Sequence, residues 1–164
     1  MNNISKAFVF DFDDTIAKTK CKINVYEGEE LVDKITPEEF NSYDLDADHR
    51  FGFEEFRSEA FIRHARPTEL MNLVKEVYDE NHAVFVLTAR EDDVADAITT
   101  WMLTQGIQPK TVYCVGGDKQ SISRNKRRVL LSIMKSYDKI YFYDDSPDNI
   151  NSAPSGKKIK KYKV

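Results

Sequence analysis

Apolar and polar positions fall into blocks along this chain. Ala7-Phe8-Val9-Phe10 is an uninterrupted apolar run that ends in Asp11-Phe12-Asp13-Asp14-Thr15. A run so short and so aromatic reads as a strand buried on both faces. Regular alternation resumes at Pro67. Leu70, Leu73, Val74 and Val77 share one helical face, and Ala83 to Leu87 form a second buried strand running into Thr88-Ala89-Arg90. Glu91-Asp92-Asp93 open the next helix with charges suited to its amino-terminal dipole, and Gly106 closes it. Thr111 to Val115 is a third strand before Gly116-Gly117. A helix is predicted from about Asn125 to Ser136, then a fourth strand, Lys139 to Tyr143, ends at Asp144-Asp145. The alternating lysines of Lys158 to Val164 suit an exposed edge strand. This repeated strand-helix order predicts an α/β fold, a three-layer, doubly wound (Rossmann-like) parallel sheet.

The stretch between the first strand and Pro67 breaks the pattern. Ile23 to Tyr26, Glu27-Gly28 and Leu31 to Ile35 read as a hairpin around a glycine turn. Thr36-Pro37-Glu38-Glu39-Phe40 carries the marks of a helix start. Tyr43 to Gly52 is acidic and irregular, and Phe53 to Ile62 has the spacing of another short helix. About fifty residues are too many for a simple connection. They predict an insertion over residues 16–66, set above the carboxyl end of the first strand.

Length places the 164 residues in one domain, 1–164, with 41% hydrophobic and 32% charged residues. No apolar run is long enough for a membrane span and the amino terminus lacks a signal-peptide core, so a cytoplasmic protein without a membrane partner is expected. Cys21 and Cys114 are far apart and have no CxxC partner, which argues against a disulfide framework or a thiolate metal site. The net charge of −4 conceals an asymmetry: residues 109–164 hold 13 Lys and Arg against 5 Asp and Glu, while residues 1–108 hold 11 against 23. The basic third suits a polyanion, or simply a solvated tail. The acidic run Asp44 to His49 reads as a solvated loop, with a second metal site as the alternative.

Chemistry concentrates at the strand ends. In open α/β sheets the ligand crevice lies outside the carboxyl ends of the strands, so Asp11 and Asp13 face it. Two unit charges about 4 Å apart repel by roughly 4 kcal/mol at a surface-like dielectric, so this turn needs a cation or a shared proton. Mg²⁺, which takes carboxylate and phosphate oxygens, fits. Asp14 suits a cap of the next turn. The pair Asp144-Asp145 repeats the problem at the mouth of the fourth strand.

Asp11-Phe12-Asp13-Asp14-Thr15 resembles the DxDx[TV] motif of the haloacid dehalogenase (HAD) superfamily of phosphohydrolases, in particular its polynucleotide 3′-phosphatase and small-cap branch. Thr88 after an apolar strand is similar to the second motif, Lys126 at the start of a helix to the third, and Asp144-Asp145 to the fourth, all in order. The resemblance implies a HAD-like domain whose insertion is a short cap. Asp11 would be the nucleophile, forming an aspartyl-phosphate, and Asp13 the acid and base. Thr88 and Lys126 would hold the phosphoryl oxygens. Mg²⁺ would sit on Asp11, the Asp13 carbonyl and Asp144 or Asp145. Thr15, Arg90, Lys119 and Arg124 would bind substrate, with Arg90 pairing with Asp92 or Asp93 as its structural alternative.

The expected function is a Mg²⁺-dependent phosphatase acting on a phosphomonoester. The short cap, Arg90, the basic group from Lys119 to Arg128 and the lysine tail favour nucleic-acid 3′-phosphate ends, with free mononucleotides as the alternative. Two other classes compete. A phospho-receiver domain gathers similar residues, but its acid pair precedes the phosphorylated aspartate in the chain. A noncatalytic nucleic-acid-binding domain accounts for the basic third but not for acids at three strand ends.

Overall fold

A computed structural model describes residues 3–40, 42–116 and 121–164. In chain order the elements are β1 (Lys6–Phe10), β2 (Ala17–Lys18), β3 (Ile23–Glu27), β4 (Glu30–Ile35), α1 (Pro37–Phe40), β5 (His49–Gly52), α2 (Glu59–Arg63), β6 (Arg66–Pro67), α3 (Met71–Asp79), β7 (Ala83–Thr88), α4 (Ala95–Thr104), β8 (Thr111–Cys114), α5 (Ile122–Met134), β9 (Lys139–Asp144), α6 (Pro147–Ser152) and β10 (Ile159–Lys163).

Five strands form one sheet in the order β10-β9-β1-β7-β8, every neighbouring pair parallel. The apolar run at Ala7–Phe10 is central and almost fully buried, as is β7, whose six residues are all buried. One side chain in two points to each face. Phe8 and Phe10 join Val74, Val77, Ile98 and Met102 of α3 and α4 in one core, while Ala7 and Val9 meet Leu130 and Ile133 of α5 in the other. Each fully buried Leu, Ile or Phe is worth about 1.5–3 kcal/mol relative to exposure. These two cores are the main cohesive force of the sheet. Strand order reverses between β1 and β9, so a crevice opens beyond their carboxyl ends.

Residues 16–66 are tied off by the two-residue ladder of β2 with β6, Ala17 opposite Pro67 and Lys18 opposite Arg66. Inside lies a three-stranded antiparallel sheet, β4-β3-β5, with its own small core of Ile23, Val25 and Ile35 under Phe40, Tyr43, Phe51 and Phe56. The hairpin is as expected, with Gly28 at positive φ in its turn. Two local expectations are corrected. Tyr43 to Gly52 is not wholly irregular, because His49–Gly52 pairs with β3, where Phe51 finds the aromatic partners that its isolated sequence does not display. Phe53 to Ile62 is not one helix either. A 3-10 turn at Glu54–Arg57 is separated from α2 by Ser58, whose backbone is extended.

Smaller shifts affect boundaries. Asp92–Val94 is a 3-10 turn ahead of α4, and α5 begins at Ile122, three residues before the expected start at Asn125. Gly106, at φ 83, ends α4 in the left-handed conformation that a Cβ disfavours. No helix among the described residues is long and apolar enough to cross a membrane. Both cysteines are free.

Candidate functional site

The carboxyl ends of β1, β7 and β9 bring together the residues singled out in the sequence. Asp11 follows β1, and its backbone N–H donates to the carbonyl of Tyr143, locking the turn to β9. Lys126 lies on α5 one turn before Leu130 and two before Ile133, on the buried stripe of that helix. Its Nζ therefore points inward, at 1% exposure, and donates to Asp11 Oδ1 at 2.9 Å and Asp144 Oδ2 at 2.7 Å. Burial alone would lower this lysine's pKa, but the two carboxylates hold it above its usual range. Arg124 and Arg128 on the same helix are exposed, and Lys119 lies outside the described residues.

Carboxylate oxygens of Asp11, Asp144 and Asp145 lie within 4.8 Å of one another. Burial pushes the Asp11 carboxyl well above its ordinary range, Lys126 pulls it down, and Asp144 and Asp145 push it up again. Thr15 Oγ1 donates to Asp11 Oδ2 at 2.9 Å and reaches Asp145 Oδ1 at 3.5 Å. Asp144 is held from several sides: Ser146 N–H donates to Oδ1 at 2.9 Å and Asn149 Nδ2 lies 3.1 Å from Oδ2. Ser123 on α5 donates in turn to Asn149 Oδ1 at 2.8 Å. Three carboxylates thus face one lysine. The excess negative charge and all-oxygen donor set fit a hard divalent cation.

Asp13 is placed differently. Its carboxylate is not in this group but faces Arg90, which donates from Nη2 to Oδ1 at 2.8 Å and from Nε to Oδ2 at 2.9 Å. Both carboxylate oxygens of Asp13 are thus engaged by Arg90, and the contact to a metal expected of this residue is through its main-chain carbonyl. Arg90 is paired with neither Asp92 nor Asp93. It is 4% exposed, donates from Nη1 to the Phe56 carbonyl at 2.6 Å, and lies over the rings of Phe12 and Phe56. Burial alone would lower its pKa; Asp13 holds it above the usual arginine range.

Thr88 is fully buried at the end of β7, where its hydroxyl oxygen accepts from the Arg90 N–H at 3.2 Å. Gly116 packs on this turn. Its N–H donates to the Arg90 carbonyl at 2.9 Å, and a Cβ there would come within 2.8 Å of that backbone, so only glycine fits. Asp14 does not act as the expected side-chain cap: it is exposed at φ 60, and its N–H bonds to the Ala17 carbonyl.

Sequence reasoning missed the Phe56 carbonyl and Ser123. Neither carries a signal in the sequence, since one is main chain and the other an ordinary helix serine. The acidic run near His49 is a partly exposed ion cluster, with the imidazole 3.6 to 4.0 Å from Asp46, Glu27 and Asp48.

No protein-family model matches this chain, and no curated protein matches it. The reading of the site therefore rests on its own residues.

Proposed function

We propose that this protein is a Mg²⁺-dependent phosphomonoesterase of the HAD type, working through an aspartyl-phosphate on Asp11, with residues 16–66 as a short cap. The observation that carries the reading is the buried lysine between Asp11 and Asp144, beside Asp145, at the carboxyl ends of two adjacent parallel strands. Acids gathered at such cost in charge repulsion suit a site that receives a cation and a phosphate.

Asp11, Asp144 and Asp145 would hold the metal. When bound it supplies charge neutralisation and Lewis-acid polarisation of a phosphoryl oxygen. The chain's own residues do the rest. An Asp11 carboxylate oxygen attacks phosphorus, the bond to the leaving oxygen breaks, and that oxygen takes a proton from Asp13. Asp13 then removes a proton from water as the water attacks phosphorus, the bond to Asp11 breaks, and free phosphate leaves. Lys126 balances charge on Asp11 and the transferred group, and Thr88 positions the phosphoryl oxygens. Arg90 orients Asp13 through both carboxylate oxygens. Both oxygens are occupied in this arrangement, so the first step requires Asp13 to turn from Arg90 toward the leaving oxygen.

Physiological substrates on this reading are phosphate ends of nucleic acids, with mononucleotides as competitors, because the carboxyl-terminal third is basic. The test is Mg²⁺-dependent phosphate release from p-nitrophenyl phosphate by the wild type and Asp11→Asn. Loss of at least about a hundredfold in the variant is expected from removal of a nucleophile. Equal rates would defeat the proposal.

A further inference from the structure

The sheet is covered unequally. On one face α3 packs on β7 and α4 on β8, whereas the described helices that pack closely on β9 and β10 are α5 and α6, from the opposite face. Side chains of β9 and β10 that point toward the α3 and α4 side form a strip that is half-buried on β9, at Tyr141 and Tyr143, and exposed on β10, at Lys160 and Tyr162. Register places Tyr141 beside Lys160 and Tyr143 beside Tyr162 in it. The rings continue a row that begins in the core: Phe10 stacks on Tyr143 with centroids 5.0 Å apart, and Tyr143 on Tyr162 at 4.6 Å. Tyr162, on the edge strand, is 39% exposed, and no further ring stacks on its outer side among the described residues. Lys160 is exposed and forms no ion pair among the described residues. Along β9 the strip ends at Asp144-Asp145, in the acidic cluster.

We infer that this strip holds single-stranded nucleic acid, one base stacking on the outer side of Tyr162 and a phosphate on Lys160, and so guides a strand end to the cluster. A row of aromatic rings that ends at a solvent-facing ring offers the sequence-tolerant π-face on which unpaired bases stack. Charge points to the same partner. The last eight residues, 157–164, include five lysines and no acid. Two inter-strand spacings, about 10 Å, separate β10 from β1, a reach suited to a nucleotide chain. The inference rests on the phosphatase reading for its purpose but not for its test.

That test is equilibrium binding of the full wild-type chain to a fluorescein-labelled thymidine octamer with a 3′-hydroxyl end, followed by anisotropy at several salt concentrations. No phosphomonoester is present, so hydrolysis plays no part. Tyr162→Ala is expected to weaken binding about tenfold while Tyr162→Phe stays within about twofold of wild type. Lys160→Gln is expected to lower the salt slope by about one. Should Tyr162→Ala unfold, Tyr162→Leu keeps bulk at the edge and removes the ring. A folded Tyr162→Ala or Tyr162→Leu that binds like wild type overturns the inference, as does no binding by the wild type at low salt, or equal affinity for a duplex. Tyr162-dependent binding by a protein that releases no phosphate would leave this inference standing and remove the phosphatase reading alone.

Discussion

Arg90 grips Asp13 through two parallel hydrogen bonds, and the same guanidinium donates to the main chain of Phe56 in the 16–66 insertion. One buried side chain thus joins the turn after β7, the turn after β1 and the inserted segment. The planar fork of arginine makes this geometry available, and a lysine cannot reproduce it.

Replacing that arginine breaks three attachments at once. Arg90→Ala leaves Asp13 and the Phe56 carbonyl without their donors and is expected to destabilise the fold by about 2 kcal/mol, a discounted buried-pair value because the Asp13 side chain is 30% exposed. Arg90→Lys should recover only part. Urea unfolding followed by circular dichroism measures both; wild-type midpoints would mean that the pair contributes nothing.

Lys126 has the opposite context, with both partners almost fully buried. Lys126→Met removes the cation and leaves Asp11 and Asp144 facing each other, at an expected cost of about 3 kcal/mol in metal-free buffer. Added Mg²⁺ should restore more stability to this variant than to the wild type, since it replaces part of the missing charge. Thermal melts with EDTA and with MgCl₂ compare the two.

Binding of a divalent cation at the acidic cluster predicts linkage. At Mg²⁺ a hundred times its dissociation constant the wild type should gain about 2.7 kcal/mol, or roughly 5–10 °C in melting temperature. Asp145→Asn, which leaves the Lys126 bonds intact, should lose most of this gain. Equal shifts in wild type and variant, or a shift reproduced by KCl at matched ionic strength, would place the ion elsewhere.

A pH effect is expected in the insertion. Burial tends to raise the Glu55 carboxyl, but Lys34 Nζ at 2.7 Å and the Lys22 N–H at 3.0 Å hold it below its ordinary 4.5. A depressed carboxylate stabilises the folded state fully above the unfolded-state pKa and loses that contribution as pH falls through the folded one. Glu55→Gln should therefore be less stable than wild type at pH about 6, with the gap closing below pH about 4. Chemical denaturation at several pH values reads the difference, and a gap that widens with acid would refute it.

Much of this was visible in the linear chain. Ala7 to Phe10 and Ala83 to Leu87 are apolar runs bounded by polar residues, and burial on both faces leaves them no other place than the middle of a parallel sheet. Ile140 to Tyr143 shows its strand by its apolar and aromatic residues and is buried at every second position. Lys126 also carried a signal. It stands four and seven residues before Leu130 and Ile133, on the apolar stripe of its helix, whereas Arg124, Arg127 and Arg128 fall outside that stripe. The pairing of His49–Gly52 was not visible, because a short edge strand is defined by its partner β3 rather than by its own pattern.

By itself the sequence determined the α/β order, the strand ends that carry Asp11, Thr88 and Asp144-Asp145, and the segment that interrupts them, because hydrophobic periodicity and charge at strand ends are local properties. Only the tertiary structure decided which oxygens meet which cations. It set Lys126 between Asp11 and Asp144, turned Asp13 to Arg90, and left Tyr162 at the open end of an aromatic row. Those partners lie 18 to 115 residues apart. Their contact depends on strand order and helix rotation, which no single stretch of chain encodes.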